Sequence, residues 1–255
     1  MLEVKDVYKR FGAVEVLRGV SFALNGGEVL GLVGDNGAGK STLMKLITGV
    51  YSVDSGEIWF DGRLLSSPRQ THTPARARGF GIEMVYQDLA LAKQQDVAAN
   101  IFLGREPVRH LLGILPIVDR RAMEIRAKFI LDELGIKVPQ LRVPVAWLSG
   151  GQQQTIAIAR ALSFNPKLLI LDEPTAALAV KETEHVLEVI RELRNRGIGI
   201  VLISHRLPDI FAVTDRILVL RQGKVAADLV TKDTSMAEVV AHIVGAEPLR
   251  KGGLA

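Results

Sequence analysis

The sequence predicts an α/β fold: a largely parallel sheet covered by helices, a small antiparallel β region near the N-terminus and a helical insertion in the middle. Three observations predict it. Apolar runs of strand length, at 29–33, 168–171 and 198–203, alternate with amphipathic helical patterns. The first of these runs leads into a glycine-rich loop at 34–39 and then into a helical stretch. From about residue 90 to 164 the pattern turns helical, as an insertion into a β-rich core would.

The elements follow in order. Residues 4–8 and 16–22, enriched in Val and Phe with partial alternation, read as strands. Asn25-Gly26-Gly27 is a turn, and residues 29–33 have the continuous apolar character of a buried strand. Residues 41–48 read as a helix closed near Gly49, and 56–62 as a short strand running into a turn. Residues 66–79, rich in Ser, Thr, Pro and Arg, read as an irregular connection. Asp119 is placed to cap a helix carrying Ile125, Phe129 and Leu131 and ending at Gly135, and Ser149 opens another that reaches about Phe164. After the strand at 168–171, Val186, Ile190 and Leu193 fall at i, i+4 and i+7 of a helix stopped by Gly197. A buried strand at 198–203 follows, and residues 217–220 and 225–227 form a hairpin around Arg221-Gln222-Gly223-Lys224.

Composition bounds the function. The chain has 255 residues, with 32 Lys and Arg against 28 Asp and Glu, and this small excess is spread along it. There is no block of like charge and no basic stretch interleaved with aromatics, so no nucleic-acid partner is expected. Cysteine is absent, which excludes disulfides and thiol catalysis. The N-terminus has no signal-peptide pattern, and no apolar run approaches the roughly 18 residues a membrane span needs. The chain is expected to be soluble and to serve a membrane only through a partner.

Gly34-Asp35-Asn36-Gly37-Ala38-Gly39-Lys40-Ser41 fits G-x-x-x-x-G-K-[ST], the phosphate-binding loop. Glycines let the backbone approach phosphate oxygens and turn several N–H groups toward them. The helix starting near Lys40 adds the positive end of its dipole. Gly34, Asn36, Gly37, Ala38, Gly39, Lys40, Ser41 and Thr42 are the candidate nucleotide-binding residues. Lys40 is placed to reach the β- and γ-phosphates, and the Ser41 hydroxyl to bind Mg²⁺. A chance glycine-rich turn is the alternative, but the apolar strand before the loop and the helix after it favour a nucleotide.

The strand at 168–171 ends in Asp172-Glu173, where ligands bind in open α/β sheets. Asp172 is placed to hold Mg²⁺, directly or through water. Glu173 is placed to orient and deprotonate an attacking water. Many strands end at an acid before a turn; beside a phosphate loop, this pair points to hydrolysis. Leu148-Ser149-Gly150-Gly151-Gln152 supplies a second helix start with a hydroxyl, which is either an anion site or a plain capped helix.

Together with the phosphate loop and the acidic strand end, that pentapeptide closely resembles the signature of the ABC ATPases. The resemblance spans roughly residues 2–245. In family order come Phe11 in Lys9-Arg10-Phe11-Gly12, where the family places an aromatic that stacks on adenine, and then the phosphate loop. Gln87 in Met84-Val85-Tyr86-Gln87 follows, similar to the Q-loop glutamine, then Ser149–Gln152, Asp172-Glu173, and His205 in Ile203-Ser204-His205, similar to the switch histidine. The resemblance implies a P-loop NTPase (RecA-like) core with ATP and Mg²⁺ as cofactors. Glu173, His205 and Gln87 would be catalytic, Ser41, Gln87 and Asp172 metal-binding, and Phe11, Ser149, Gly150, Gly151 and Gln152 nucleotide-binding. It implies one ATPase domain over 1–245, with RecA-like and β parts at about 1–89 and 165–228, a helical subdomain at about 90–164, and a tail at 246–255. It also implies a head-to-tail homodimer in which each ATP lies between the phosphate loop of one chain and the signature of the other. The chain departs from the family at Ala179, where many members carry the D-loop Asp of a cross-dimer contact.

Residues 83–91 and 96–106, with Glu173-Pro174-Thr175-Ala176-Ala177-Leu178, look like the ATPases of the ribose, xylose and fructose group of simple-sugar importers. This implies a peripheral ATPase at the cytoplasmic face of the membrane. It would work with integral permease subunits and, indirectly, with a periplasmic or extracellular sugar-binding protein. The alternatives are a soluble ABC ATPase in assembly or maintenance, an importer ATPase for another small solute, and a nucleotide switch that hydrolyses poorly. The sequence has no long coiled-coil insertion, and Glu173 and His205 fill both chemical positions. Residues 107–118 read as local core in preference to a permease-docking surface, with 88–92 the better candidate for that contact. Residues 251–255 read as a frayed tail.

Overall fold

A computed structural model describes residues 1–111, 114–136 and 140–246. Leu2–Phe11 (β1) and Val14–Leu24 (β2) pair antiparallel. Val29–Val33 (β3) follows, buried at all five residues as a strand covered on both faces must be. Beyond the glycine-rich loop runs Lys40–Ile47 (α1). Ser55–Phe60 (β4) and Arg63–Ser66 (β5) then complete a four-stranded antiparallel sheet in the order β2-β1-β4-β5.

The stretch expected to be irregular contains a helix, Pro74–Gly79 (α2). Its start signal was in the sequence: Thr73 caps it and Pro74 stands in the first turn, where a missing N–H costs nothing. Ile82–Val85 (β6), a strand the hydrophobic pattern did not single out, leads toward Gln87. Val97–Ile101 (α3) is capped by Asp96.

Residues 107–118 depart from the expectation of local core. Val108–Leu111 (β7) and Leu115–Val118 (β8) form a two-stranded antiparallel hairpin separate from both larger sheets. Val108, Ile114, Leu115 and Val118 are exposed; Leu112 and Gly113 lie outside the described residues. A pair of strands has only its own partner to pack on, so its apolar residues find no cover. Arg120–Glu133 (α4) starts at Asp119 as expected, with the Asp119 carboxylate accepting from the Ala122 amide at 3.0 Å. Its buried face is Met123, Ala127 and Leu131 at i, i+4 and i+8, while Ile125 and Phe129 point outward. The larger apolar side chains misled the reading, because the small Ala127 marks the true core face.

Gly150–Leu162 (α5) is followed by Leu168–Asp172 (β9) and Val180–Asn195 (α6), whose buried positions include Val186, Ile190 and Leu193. Gly199–Ile203 (β10), Leu207–Val213 (α7), the hairpin Arg216–Arg221 (β11) and Lys224–Val230 (β12), and Met236–Val244 (α8) complete the fold. The tail expected from 246 lies almost wholly outside the described residues.

The central sheet runs β12-β11-β3-β10-β9-β6, parallel except for β12. Alternate residues of its strands enter two separate cores, as the period of two demands. Leu30, Leu32, Ile170 and Val201 pack with α1 and the antiparallel sheet. Val29, Leu169, Leu171 and Leu202 pack with the helices of the opposite layer. The α/β architecture expected from the sequence is therefore present, with its five parallel strands aligned so that their C-terminal ends fall along one edge.

Candidate nucleotide site

That edge gathers the chemistry. β3 delivers the glycine-rich loop, β10 the segment to His205, β9 Asp172 and Glu173, and β6 the segment to Gln87. Two loop positions require glycine. Gly34 has φ +148°, and a Cβ there would lie 2.0 Å from the Leu220 carbonyl oxygen. Gly39, at φ +107°, would set a Cβ 2.7 Å from Leu17. The strand-to-helix turn is thus as close to its neighbours as backbone alone can come.

Lys40 is only 7% exposed. Its ammonium donates to the carbonyls of Gly34 at 2.6 Å and Asp35 at 3.0 Å. Burial lowers its pKa, and the carboxylates of Glu173, Asp35 and Asp172 oppose that shift. Asp172 is pushed upward by burial, against the pull of Lys40 and His205. Glu173 is also pushed upward by burial, with His205 holding it back.

Glu173 holds a left-handed backbone, φ +51°, unusual for a residue with a Cβ. Its amide donates to the Ile203 carbonyl at 2.9 Å, stitching the ends of β9 and β10 together. The His205 amide donates to Glu173 Oε2 at 3.3 Å. His205 Nε2 also lies 3.3 Å from Oε1, but Oε1 is buried and accepts no hydrogen bond. A buried acceptor left without a partner has its full hydrogen-bonding capacity in reserve.

A cavity of ≈ 270 Å³ joins these groups. The loop from Asn36 through Gly37, Ala38, Gly39, Lys40 and Ser41 to Thr42 forms one wall, and Gln87, Asp172, Glu173 and His205 form the other. Val16 and Ile203 also line it, and the sequence reading named neither as a site residue. Their signal was faint, since an apolar strand residue reads as core. Gly34 contributes through its carbonyl, held by Lys40, and not through the lining. Phe11 is outside the lining: 42% exposed, it meets Tyr51 edge to face with centroids 5.1 Å apart.

The donor set suits Mg²⁺. Ser41, Gln87 and Asp172 offer hard oxygens, while no group of three or more His, Cys, Asp or Glu among the described residues forms a protein cage. Such a partial set fits an ion shared with substrate phosphates.

Ser149, Gly151 and Gln152 line a different cavity, of ≈ 420 Å³, which shares no lining residue with the first. Ser149 caps α5 in a reciprocal box: Gln152 N donates to the Ser149 hydroxyl at 3.3 Å, and Ser149 N donates to the Gln152 side chain at 3.0 Å. A Cβ on Gly151 would fall 2.7 Å from the Glu182 side chain, and one on Gly150 would lie 3.5 Å from Leu178. The Ser149 hydroxyl, with the Ala179 and Gly151 amides, holds the Glu182 carboxyl below its ordinary range. A carboxylate of the same chain thus stands at the start of α5, beside Lys181 and His185, none of which the sequence had marked.

Known proteins are similar to this chain in sequence and in fold. A family described as ABC transporter matches residues 17–176. The fructose import ATP-binding protein FrcA of Rhizobium meliloti is 45% identical over 98% of this chain and 96% of its own length. The xylose/arabinose import ATP-binding protein XylG of Sulfolobus acidocaldarius is 42% identical over 94% of this chain and 92% of its own length. Among solved structures, the ADP conformation of MJ1267, an ATP-binding cassette of an ABC transporter, superposes with a TM-score of 0.80 at 28% identity, covering 96% of this chain and 98% of that one. A dimeric post-hydrolysis state of the cassette MJ0796 bound to ADP and Pi matches at 0.75 and 25% identity, over 91% of this chain and 99% of that one. With the phosphate loop, the acidic strand end and the helix start at Ser149 all in place, the chain belongs to the ABC transporter family, as one of its ATPase domains.

Proposed function

We propose that this chain binds and hydrolyses ATP with Mg²⁺ and powers the import of a simple sugar. The observation that carries the reading is the single cavity uniting a buried lysine, a phosphate-type loop and the Glu173 carboxylate with His205 beside it. Backbone N–H groups of the loop and Lys40 hold the phosphates. Ser41, Gln87 and Asp172 would hold Mg²⁺, which supplies neutralisation of phosphate charge. Glu173 Oε1 accepts the proton of an attacking water, and its burial-raised pKa makes it a stronger base than a surface carboxylate. The His205 amide keeps Oε2 occupied, while Oε1 accepts no hydrogen bond and has the His205 imidazole 3.3 Å away. His205 itself is placed toward the terminal phosphate, and Phe11 toward the adenine.

Ser149, Gly150, Gly151 and Gln152 stand apart from the phosphate loop, and a head-to-tail homodimer completes two equivalent sites. The dimeric ADP- and Pi-bound relative supports that arrangement. Closure on ATP and release after hydrolysis would supply the mechanical stroke. Sugar as the cargo rests on relatives whose names specify fructose and xylose/arabinose import. The partners would be permease subunits at the cytoplasmic face of the membrane and a sugar-binding protein on the far side.

Affinity capture from detergent-solubilised membranes of the source cell, followed by mass spectrometry, tests the assignment. Recovery of a multi-spanning permease, with ATP turnover that depends on Mg²⁺, is expected. Capture of soluble partners alone would move the chain to an assembly or maintenance role.

A further inference from the structure

Gln87 belongs to the nucleotide cavity, but the chain on either side of it is held by another part of the molecule. Arg160, in the last turn of α5, donates from one guanidinium nitrogen to the Ala90 carbonyl at 2.8 Å and from the other to the Leu89 carbonyl at 2.6 Å. Ala90 sits at φ +48°, a left-handed conformation for a residue with a Cβ, so the segment bends sharply where the guanidinium holds it. A few residues further, the fully buried Asn100 takes the carbonyls of Ala92 at 3.0 Å, Gln95 at 3.2 Å and Asp96 at 3.0 Å, and accepts from the Ala92 amide at 2.8 Å.

On the upstream side, Glu83 lies buried in β6, four positions before Gln87. Its Oε1 accepts no hydrogen bond, and Arg105 approaches that oxygen at 3.6 Å while stacking 3.4 Å over Phe164. Glu83 is the main carboxylate opposing the burial of the Arg160 guanidinium. A guanidinium presents two nitrogens in a fixed planar fork, one to each carbonyl, where an ammonium has a single rotatable nitrogen on a flexible stem.

α5 therefore has two ends with different attachments. Its first turn starts at Ser149 and carries the second half-site; its last turn holds the exit of the segment that carries Gln87. One continuous helix of 13 residues, about 20 Å long at 1.5 Å per residue, joins the two ends. We infer that Arg160 is a positioning residue for ATP turnover: its grip on the Leu89 and Ala90 carbonyls ties Gln87 in the nucleotide cavity to the Ser149 end of α5, so that neither moves without the other. The inference rests on the ATPase reading of the site above. It assigns no contact between Arg160 and the nucleotide.

Arg160→Lys keeps the positive charge beside Glu83 and replaces the two-nitrogen fork that spans the Leu89 and Ala90 carbonyls by a single flexible nitrogen. In the full-length protein we expect kcat to fall about tenfold with KM for ATP within about twofold, as misplacement without lost binding produces. Hydrogen exchange at the amides of 88–92 should accelerate, with little change at 37–43. Wild-type kcat together with wild-type exchange at 88–92 would overturn the inference. Should Arg160→Lys fail to fold, exchange in the Glu173→Gln protein with and without Mg-ATP decides the matter. Protection at 88–92 and at 149–153 must then change together, and independent changes would sink the link. Lys40→Ala is the control for the underlying reading. If it bound ATP normally the nucleotide assignment would fail, whatever exchange at 88–92 showed.

Discussion

The two regions proposed to share a nucleotide are built on different principles. The phosphate loop sits at the end of a strand buried at all five residues, beside a lysine that is 7% exposed and two acids whose pKa values burial raises. The Ser149 start of α5 is an open helix end closed by its own capping box and attended by the Glu182 carboxylate of the same chain. The first is preorganised by the core and can bind a ligand in one chain. The second has the Ser149 and Gln152 amides and the Ser149 hydroxyl engaged within the chain. Strong charges are thus set in rigid surroundings, and the helix start is held by bonds of its own chain.

Substitutions can separate the halves. The largest effect is expected for Glu173→Gln: turnover falls about a thousandfold, in the range of a lost general base, while ATP binding measured by titration persists. An unchanged rate would remove Glu173 from that role. Lys40→Ala should weaken ATP binding about tenfold to a hundredfold, the scale of a charge-assisted contact, with the remainder of the loss blurred because Lys40 also holds the Gly34 and Asp35 carbonyls. Gly151→Val breaks the comparison from the other side. Its side chain must displace Glu182 and crowd the helix start, so turnover should fall about tenfold while single-chain ATP affinity stays as it was. Lost affinity in that variant would mean that the halves are not separate.

Two pH effects are smaller. Glu173 must be ionised to accept a proton, and burial raises its pKa above 4.5, so the acid limb of the kcat/KM profile should lie above that value. A limb at or below 4.5 would contradict the desolvated base. His72 is buried, with Nε2 2.9 Å from the Ile47 carbonyl at the end of α1, and burial lowers its pKa from 6.5. As pH falls below 6.5 the unfolded chain takes up this proton before the folded one does, so stability present at neutral pH is lost toward acid. Melting temperatures between pH 7 and 5 should decline, and His72→Gln should flatten that slope.

The sequence was most legible where one residue type answers one physical demand. The uninterrupted apolar strand at 29–33, the acids closing β9 and the Ser149 cap each have a single sensible place in an α/β fold. It was least legible where packing overrode pattern. Ile125 and Phe129 have the bulk of core residues but face outward, because Ala127 is the residue that fits against its neighbours. The hairpin at 108–118 is apolar without being covered, and α2 was concealed by the very Ser, Thr and Pro content that made its surroundings read as loop. Val16 and Tyr51 entered the picture only through distances, which spacing along a chain does not encode.

The strand order has a temporal consequence. Val29 of β3 pairs with Ile200 of β10, so the strand that launches the phosphate loop waits for a neighbour about 170 residues further along the chain. At translation rates of about 5–20 residues per second, that interval is roughly ten to thirty seconds. Through it, an apolar pentapeptide and a glycine-rich loop emerge without the strands that will flank them. Newborn chains therefore pass through a period in which the apolar strand that launches the loop has neither of its sheet neighbours, β10 and β11, to cover it.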